Sequence, residues 1–319
     1  MKWWFAYFAL SCLPAHAASL DVNANPNTNL AIIAKASAQL NYDGTFMYQH
    51  DGHIEISHIA HRVDSAGELA KLDALSGPPH AFVRVNDAVY CYIPDGNQVR
   101  VERRPQHQFF PQLLPVNVNS ITEHYTVKPV GYDTIAEHKS IGYNLIPNDA
   151  YRYPYQLWAD AESGLLLKFI RLDNKQNIVG QFSFSQVDIG QAPERAQLQS
   201  GYSNKKQIMM PSKETTAKST WRVTKLPPGY TLIGENQRDF PHKKTSVIHQ
   251  VYSDGLAIIS IFIETIPPAS PAAPQGLSTQ GIISLYAHRI AQYQITALGE
   301  VPSATLLMLA DHLKQVNTP

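Results

Sequence analysis

The alternation of apolar and polar positions changes period near residue 40. Before it, Leu30, Ile33, Ala34, Ser37 and Leu40 recur at the spacing of one helix face, with Asn27 or Thr28 placed to cap the first turn. Beyond it the period is two. Residues 44–50 and 53–61 are extended runs joined by Asp51-Gly52, a strong signal for a tight hairpin. Further strand-like runs follow at 80–86, 88–93, 98–103, 122–129, 140–146, 151–160, 165–172 and 178–189, several separated by turn residues such as Pro94-Asp95-Gly96-Asn97. Connections this short imply antiparallel neighbours, because a parallel pair needs a long crossover. One helix and many up-and-down strands predict an α+β unit, a curved sheet or partial barrel carrying a helix.

Between 191 and 220 the periodicity fails, and Ala192-Pro193-Glu194 and Pro211-Ser212-Lys213 read as parts of an interdomain linker. It resumes in a smaller unit. Residues 246–252 and 256–266 form a hairpin about Ser253-Asp254-Gly255, and the second arm is apolar on both faces, as expected of a covered central strand. The stretch 267–274 reads as a loop, and 281–287 and 290–298 as strands. A closing helix is expected with Pro302 at its first position and Leu306, Leu309, Ala310 and Leu313 on its buried side. The expected organisation is therefore a first domain over 18–190, a linker over 191–220 and a small C-terminal α+β domain over 221–319.

Composition narrows the function. The 319 residues are 44% hydrophobic, enough for two cores, and Lys+Arg balance Asp+Glu at 26 each, so the one-sided charge of a nucleic-acid binder is missing. Lys2, an apolar run through Leu13 and the pattern Ala15-His16-Ala17 read as a secretory signal peptide over 1–17, cut after Ala17. No later run is apolar for long enough to form a membrane-spanning helix, so an exported soluble protein is expected. Cys12 leaves with the signal. Cys91 then stands alone, without an internal disulfide, and its place on a strand face with Val89 and Ile93 reads as a buried thiol.

A search for catalytic machinery finds no G-x-S-x-G, H-E-x-x-H, phosphate-binding loop or dinucleotide fingerprint, so the chain reads as a binding protein without a cofactor. His50, His53, His58 and His61 are close in sequence. They lack a cysteine partner and read as solvated or hydrogen-bonded groups, with no metal site expected. Aromatic residues alternate along several strands: Phe46 and Tyr48, Tyr90 and Tyr92, Tyr151, Tyr153 and Tyr155, Phe182 and Phe184. A sheet with such residues on its concave side can line a cleft for an acyl chain. The candidates for that cavity are Phe46, Tyr48, Ile56, Tyr90, Tyr92 and Tyr153.

The runs Tyr42-Asp43-Gly44-Thr45-Phe46-Met47-Tyr48, Tyr90-Cys91-Tyr92-Ile93-Pro94-Asp95, Pro147-Asn148-Asp149-Ala150-Tyr151-Arg152-Tyr153 and Leu157-Trp158-Ala159-Asp160 resemble the RseB/MucB family. So do Leu226-Pro227-Pro228-Gly229-Tyr230, Tyr252-Ser253-Asp254-Gly255-Leu256-Ala257 and Gly299-Glu300-Val301-Pro302 in the second unit. The resemblance implies a fold in which an unclosed antiparallel β-barrel, with helices on its concave face like the lipoprotein carriers LolA and LolB, precedes a smaller antiparallel α+β domain. It implies a periplasmic negative regulator of the σE-type envelope-stress response. Such a protein binds the periplasmic region of a membrane-spanning anti-sigma factor, protects it from regulated proteolysis, and senses lipid, lipopolysaccharide or mislocalised lipoprotein. Acyl chains are then expected ligands, and homo-oligomerisation is left open. Tyr252, Asp254 and Leu256, in the second unit's hairpin, are the candidates for gripping an extended partner segment by strand addition. A periplasmic lipid or lipoprotein carrier is the alternative, though the second unit is more than a carrier needs.

Overall fold

The N-terminal helix, α1 (Pro26–Gln39), starts earlier than its apolar spacing predicts, because Asn25 supplies the cap and Pro26 takes the first position, where a missing N–H costs nothing. The Asn25 side chain accepts from the backbone N–H of Asn27 at 2.9 Å. Leu30 and Ile33 are fully buried, which stabilises the helix on the sheet by about 1.5–3 kcal/mol for each side chain. The computed structural model describes residues 19–105, 110–202, 204–209, 219–238, 246–267, 275–280 and 283–316. The signal peptide expected over 1–17 and most of the loop expected over 267–274 lie outside the described residues.

Strands β1 (Tyr42–His50), β2 (His53–Asp64), β3 (Gly67–Ala74), β4 (Ala81–Val85), β5 (Ala88–Asp95) and β6 (Gln98–Pro105) form an antiparallel meander. After the short helix α2 (Asn119–Thr122) come β7 (Tyr125–Ile135), β8 (His138–Pro147), β9 (Tyr155–Asp160), β10 (Leu166–Leu172) and β11 (Ile178–Ile189). β1 pairs with both β2 and β11, so the two meanders join into one unclosed sheet. Its concave face holds the core, covered by α1 and by residues 110–121.

Three expectations change. β3 was not foreseen, since Glu68, Lys71 and Asp73 dilute its apolar pattern. The strand expected from 122 starts at Tyr125, after α2. The strand expected from 151 starts at Tyr155: the Asp149 side chain accepts from the Tyr151 N–H at 2.9 Å and holds a turn, and Pro154 restricts the residue before it.

The stretch read as a linker is partly attached. Leu198 is buried, Arg195 pairs with Asp64, and the Pro193 carbonyl accepts from Arg62 at 2.9 Å. β12 (Lys206–Met209) then adds to the edge at β6 in parallel, the exception to the antiparallel rule. The chain between β6 and β12, which contains β7 to β11, supplies the long crossover that a parallel pair requires.

In the second domain, β13 (Trp221–Val223) is followed by β14 (Thr231–Arg238), β15 (Val247–Ser253), β16 (Ile258–Thr265), β17 (Gly276–Gln280), β18 (Ile283–Ile290) and β19 (Tyr293–Gly299). Helix α3 (Ser303–Asp311) and β20 (Leu313–Gln315) close the chain. The doubly apolar arm is β16, and it is interior in the order β14-β15-β16-β19-β18-β17. Ile259, Ile261 and Ile263 on one face meet Leu306 and Leu309 of α3 in the second core. Pro302 sits just outside α3 as its cap instead of at the first helical position.

Candidate functional site

Strand register decides which of the candidate aromatics meet. Phe46 lies opposite Phe184, Tyr48 opposite Phe182, and Phe182 opposite Phe169, all on the concave face. Tyr48 and Phe182 stack at 4.2 Å between ring centroids, and Phe46 and Phe184 meet edge to face at 6.0 Å. Into the middle comes a ring the sequence did not single out. Phe110 is buried, stacks on Phe182 at 5.6 Å, and lies 5.0 Å from Phe46 and 4.9 Å from Phe184. Burial, with Glu300 close by, pushes the Tyr48 hydroxyl up to about 12, so it stays neutral at the slot's lip.

The same register removes three candidates from this slot. Ile56 faces Met47 across β1 and β2, so it lies on the sheet face opposite Phe46. Tyr90 and Tyr92 flank Cys91, which pairs with Phe82 on the concave side, so both tyrosines also point outward. Tyr92 instead lines an outer groove of about 410 Å³ with Leu69, Val83 and Leu198. Tyr153 lies outside any strand, in the turn before β9. Only Phe46 and Tyr48 of the six share the concave slot.

The partner candidates have a different environment from the one expected. Tyr252 is buried in the second core, Leu256 packs against the first domain's core, and Asp254 is buried between the domains. Asp254 Oδ1 accepts from the Leu256 and Ala257 N–H groups at 3.0 and 2.8 Å, shaping the turn. Its Oδ2 lies 2.9 Å from Nε of the fully buried Arg152, an ion pair whose angle is poor for a hydrogen bond. Arg152 also donates to Asp149 and to the Pro228 carbonyl. Its guanidinium lies 5.1 Å from the Tyr230 ring and 6.0 Å from that of Tyr125. The Tyr151 carbonyl accepts from Thr305 at 2.8 Å and from Tyr230 at 3.4 Å, and Arg171 pairs with Glu300. Asp254 and Leu256 thus serve the domain junction and Tyr252 the second core, and in this arrangement the three present no free gripping surface.

The sequence carried a signal for this junction that the strand pattern did not translate. The runs holding Arg152, Pro228, Asp254 and Glu300 are four of those that carry the family resemblance, and they converge here from both domains. Phe110 had a weaker signal: Phe109-Phe110 and Leu113-Leu114 are large apolar pairs in a stretch with no period.

Three of the four clustered histidines find separate acidic partners: His50 lies 3.4 Å from Glu55, His58 2.9 Å from Asp43, and His61 3.2 Å from Glu68. His61 is buried with its other ring nitrogen 2.7 Å from the Leu40 carbonyl, and Glu68 also receives Arg84 at 3.1 Å and the Gln112 amide at 3.1 Å. Burial pushes the Glu68 carboxyl up, but the His61, Arg84 and Gln112 interactions outweigh it and hold it below its ordinary 4.5. A carboxyl depressed in the folded state adds stability above its unfolded value and loses it as pH falls. Glu68→Gln is therefore expected to flatten the dependence of Tm on pH between about pH 5 and 3, measured by thermal unfolding across that range. An unchanged slope would show that Glu68 is not linked to folding.

Comparisons with known proteins bear on both domains. The MucB/RseB N-terminal domain model matches residues 25–202, and the MucB/RseB C-terminal domain model matches 215–314. The chain is 30% identical over 279 residues to the sigma factor AlgU regulatory protein MucB of Pseudomonas aeruginosa, covering 86% of this chain and 85% of that one. It is 23% identical over 313 residues to the sigma-E factor regulatory protein RseB of Escherichia coli K12, covering 98% and 97%. Among solved structures, a MucA/MucB complex from Pseudomonas aeruginosa superposes with a TM-score of 0.75 at 27% identity, covering 92% of this chain and all of that one. MucB in complex with MucA(peri) gives 0.74 at 26%, with the same coverage.

Proposed function

Because the chain belongs to the MucB/RseB family, both of whose domain models it matches, we propose that it is a periplasmic negative regulator of a sigma-E-type response. In this reading it is exported, cut after Ala17, and holds the periplasmic region of a membrane-spanning anti-sigma factor, protecting that region from regulated proteolysis. The observation that carries the reading is the extent of the likeness, which runs through both domains to a protein solved together with MucA(peri). Among the described residues no helix is long and apolar enough to cross a membrane, as the reading requires.

An extended partner segment needs an open backbone edge. With Asp254 and Leu256 taken up by the junction and Tyr252 by the second core, the second sheet offers its outer strands β14 and β17, where Leu232, Ile233 and Leu277 are exposed. Lipid enters the reading through the aromatic slot of the first domain. A ligand releases a partner only by preferring the partner-free state, and a tenfold loss of affinity needs about 1.4 kcal/mol of preference. About two extra buried CH₂ groups supply that. A carrier reading draws on the first domain alone and leaves the second without a role.

The test uses the mature chain and the purified periplasmic region of the anti-sigma factor from the same organism. Calorimetry is expected to give a saturable complex, and the complex is expected to slow cleavage of that region by its initiating protease. Failure to form any complex, with or without lipid, rejects the regulator reading.

A further inference from the structure

We infer that Phe110 is a built-in plug in the concave slot, and that an acyl chain entering the slot displaces it and moves the domain junction. The inference rests on the proposed lipid-sensing role and names how that site is regulated.

The rings that meet Phe110 all belong to the sheet. Phe46, Tyr48, Phe182 and Phe184 are carried on β1 and β11, which pair from Tyr42 opposite Ile189 to His50 opposite Gly180. Phe110 is a visitor from a segment outside the sheet. Among the described residues, the backbone of 110–117 makes no hydrogen bond to any strand; the Leu113 N–H donates within the segment, to the Pro111 carbonyl at 2.9 Å. The segment is held by apolar burial of Phe110, Leu114 and Val118, and by the Gln112 side chain, which contacts Glu68 and Arg84. A group held by non-directional apolar contact exchanges with another apolar group without stranding polar atoms. A saturated acyl chain is apolar over its length and suits a slot whose resident is itself an aromatic hydrocarbon ring.

The far end of the same segment touches the second domain. A Cβ on Gly255 would lie 2.9 Å from Ser120 Oγ and 3.2 Å from Pro115 Cγ, so this turn is seated directly on 115–120. Leu256, next in the turn, packs into the first core, and Asp254 before it pairs with Arg152. Withdrawing Phe110 therefore shifts the support beneath the turn that joins the domains. Slot, segment and junction form one contiguous chain of contacts.

Two measurements on the full mature chain test this, with lauric acid as the probe. Phe110→Ala is expected to bind lauric acid about tenfold or more tightly than the wild type, because the competing ring is gone. In the wild type, hydrogen exchange with saturating lauric acid is expected to lose protection at 110–122 and 253–257 while β1 and β11 keep theirs. This arm needs no variant to fold. If lauric acid binds the wild type and 110–122 stays protected, Phe110 is no plug, although lipid sensing survives. If 110–122 opens without any change at 253–257, the relay to the junction is wrong. If neither protein binds lauric acid, the plug and the lipid part of the proposed function both fall, and partner binding alone decides the rest.

Discussion

Arg152→Ala is expected to cost about 3–5 kcal/mol of stability, the usual penalty for removing one partner of a buried ion pair. The arginine side chain is fully buried, and its removal leaves the Asp254 carboxylate, itself 2% exposed, without a countercharge. The Pro228 carbonyl and the Asp149 carboxylate lose their donor in the same step. The penalty belongs mainly to what is left behind. The double variant Arg152→Met with Asp254→Asn therefore provides the contrast: methionine fills the space beside Tyr230, and asparagine keeps an Oδ1 to accept from the Leu256 and Ala257 N–H groups. Replacing both charges is expected to cost far less than Arg152→Ala. Calorimetry would follow both variants, since a two-domain chain need not unfold in one step. A loss of under about 1 kcal/mol for Arg152→Ala would mean that the pair does not clamp the junction.

That junction was the part of the molecule least legible in the sequence. Binary pattern finds a strand because it depends on neighbours two residues apart, and it located the β1–β2 hairpin and the interior strand β16 from local residues alone. It fails where a polar residue is buried by a distant partner. Arg152 sits in a stretch that reads as an aromatic strand, yet two of its polar contacts come from residues 76 and 102 positions away, at Pro228 and Asp254. The aromatic candidates show the same limit. Alternation predicts that Phe46 and Tyr48 share a face and that Tyr90 and Tyr92 do. It cannot say that the two faces are opposite, because that depends on register summed across four intervening strand pairings. Phe110 lay beyond pattern altogether, since a loop residue that fills a core has no period to betray it.

Gly229→Ala is expected to loosen the same junction, by a route that a matched control can isolate. Gly229 has φ +78°, and a Cβ there would fall 2.3 Å from the His124 ring and 2.8 Å from Nη2 of Arg152. Two costs add: about 1–2 kcal/mol for a left-handed backbone carrying a side chain, and about 1–3 kcal/mol for overpacking a filled space. Gly52 separates them. It has φ +76° in the first hairpin turn, with nothing within 4 Å of an added Cβ, so Gly52→Ala bears the backbone cost alone. Thermal unfolding should place Gly52→Ala about 1–2 kcal/mol below the wild type and Gly229→Ala about 2–5 kcal/mol below it. Adding His124→Ala to Gly229→Ala should recover part of the excess, since the nearest clash is with that ring. The remainder is expected to persist, because Nη2 of Arg152 is pinned by the Pro228 carbonyl next to the substituted residue. Equal losses for the two glycine variants would mean that the interface yields without cost at Gly229, and that Arg152 is less firmly seated than its contacts imply.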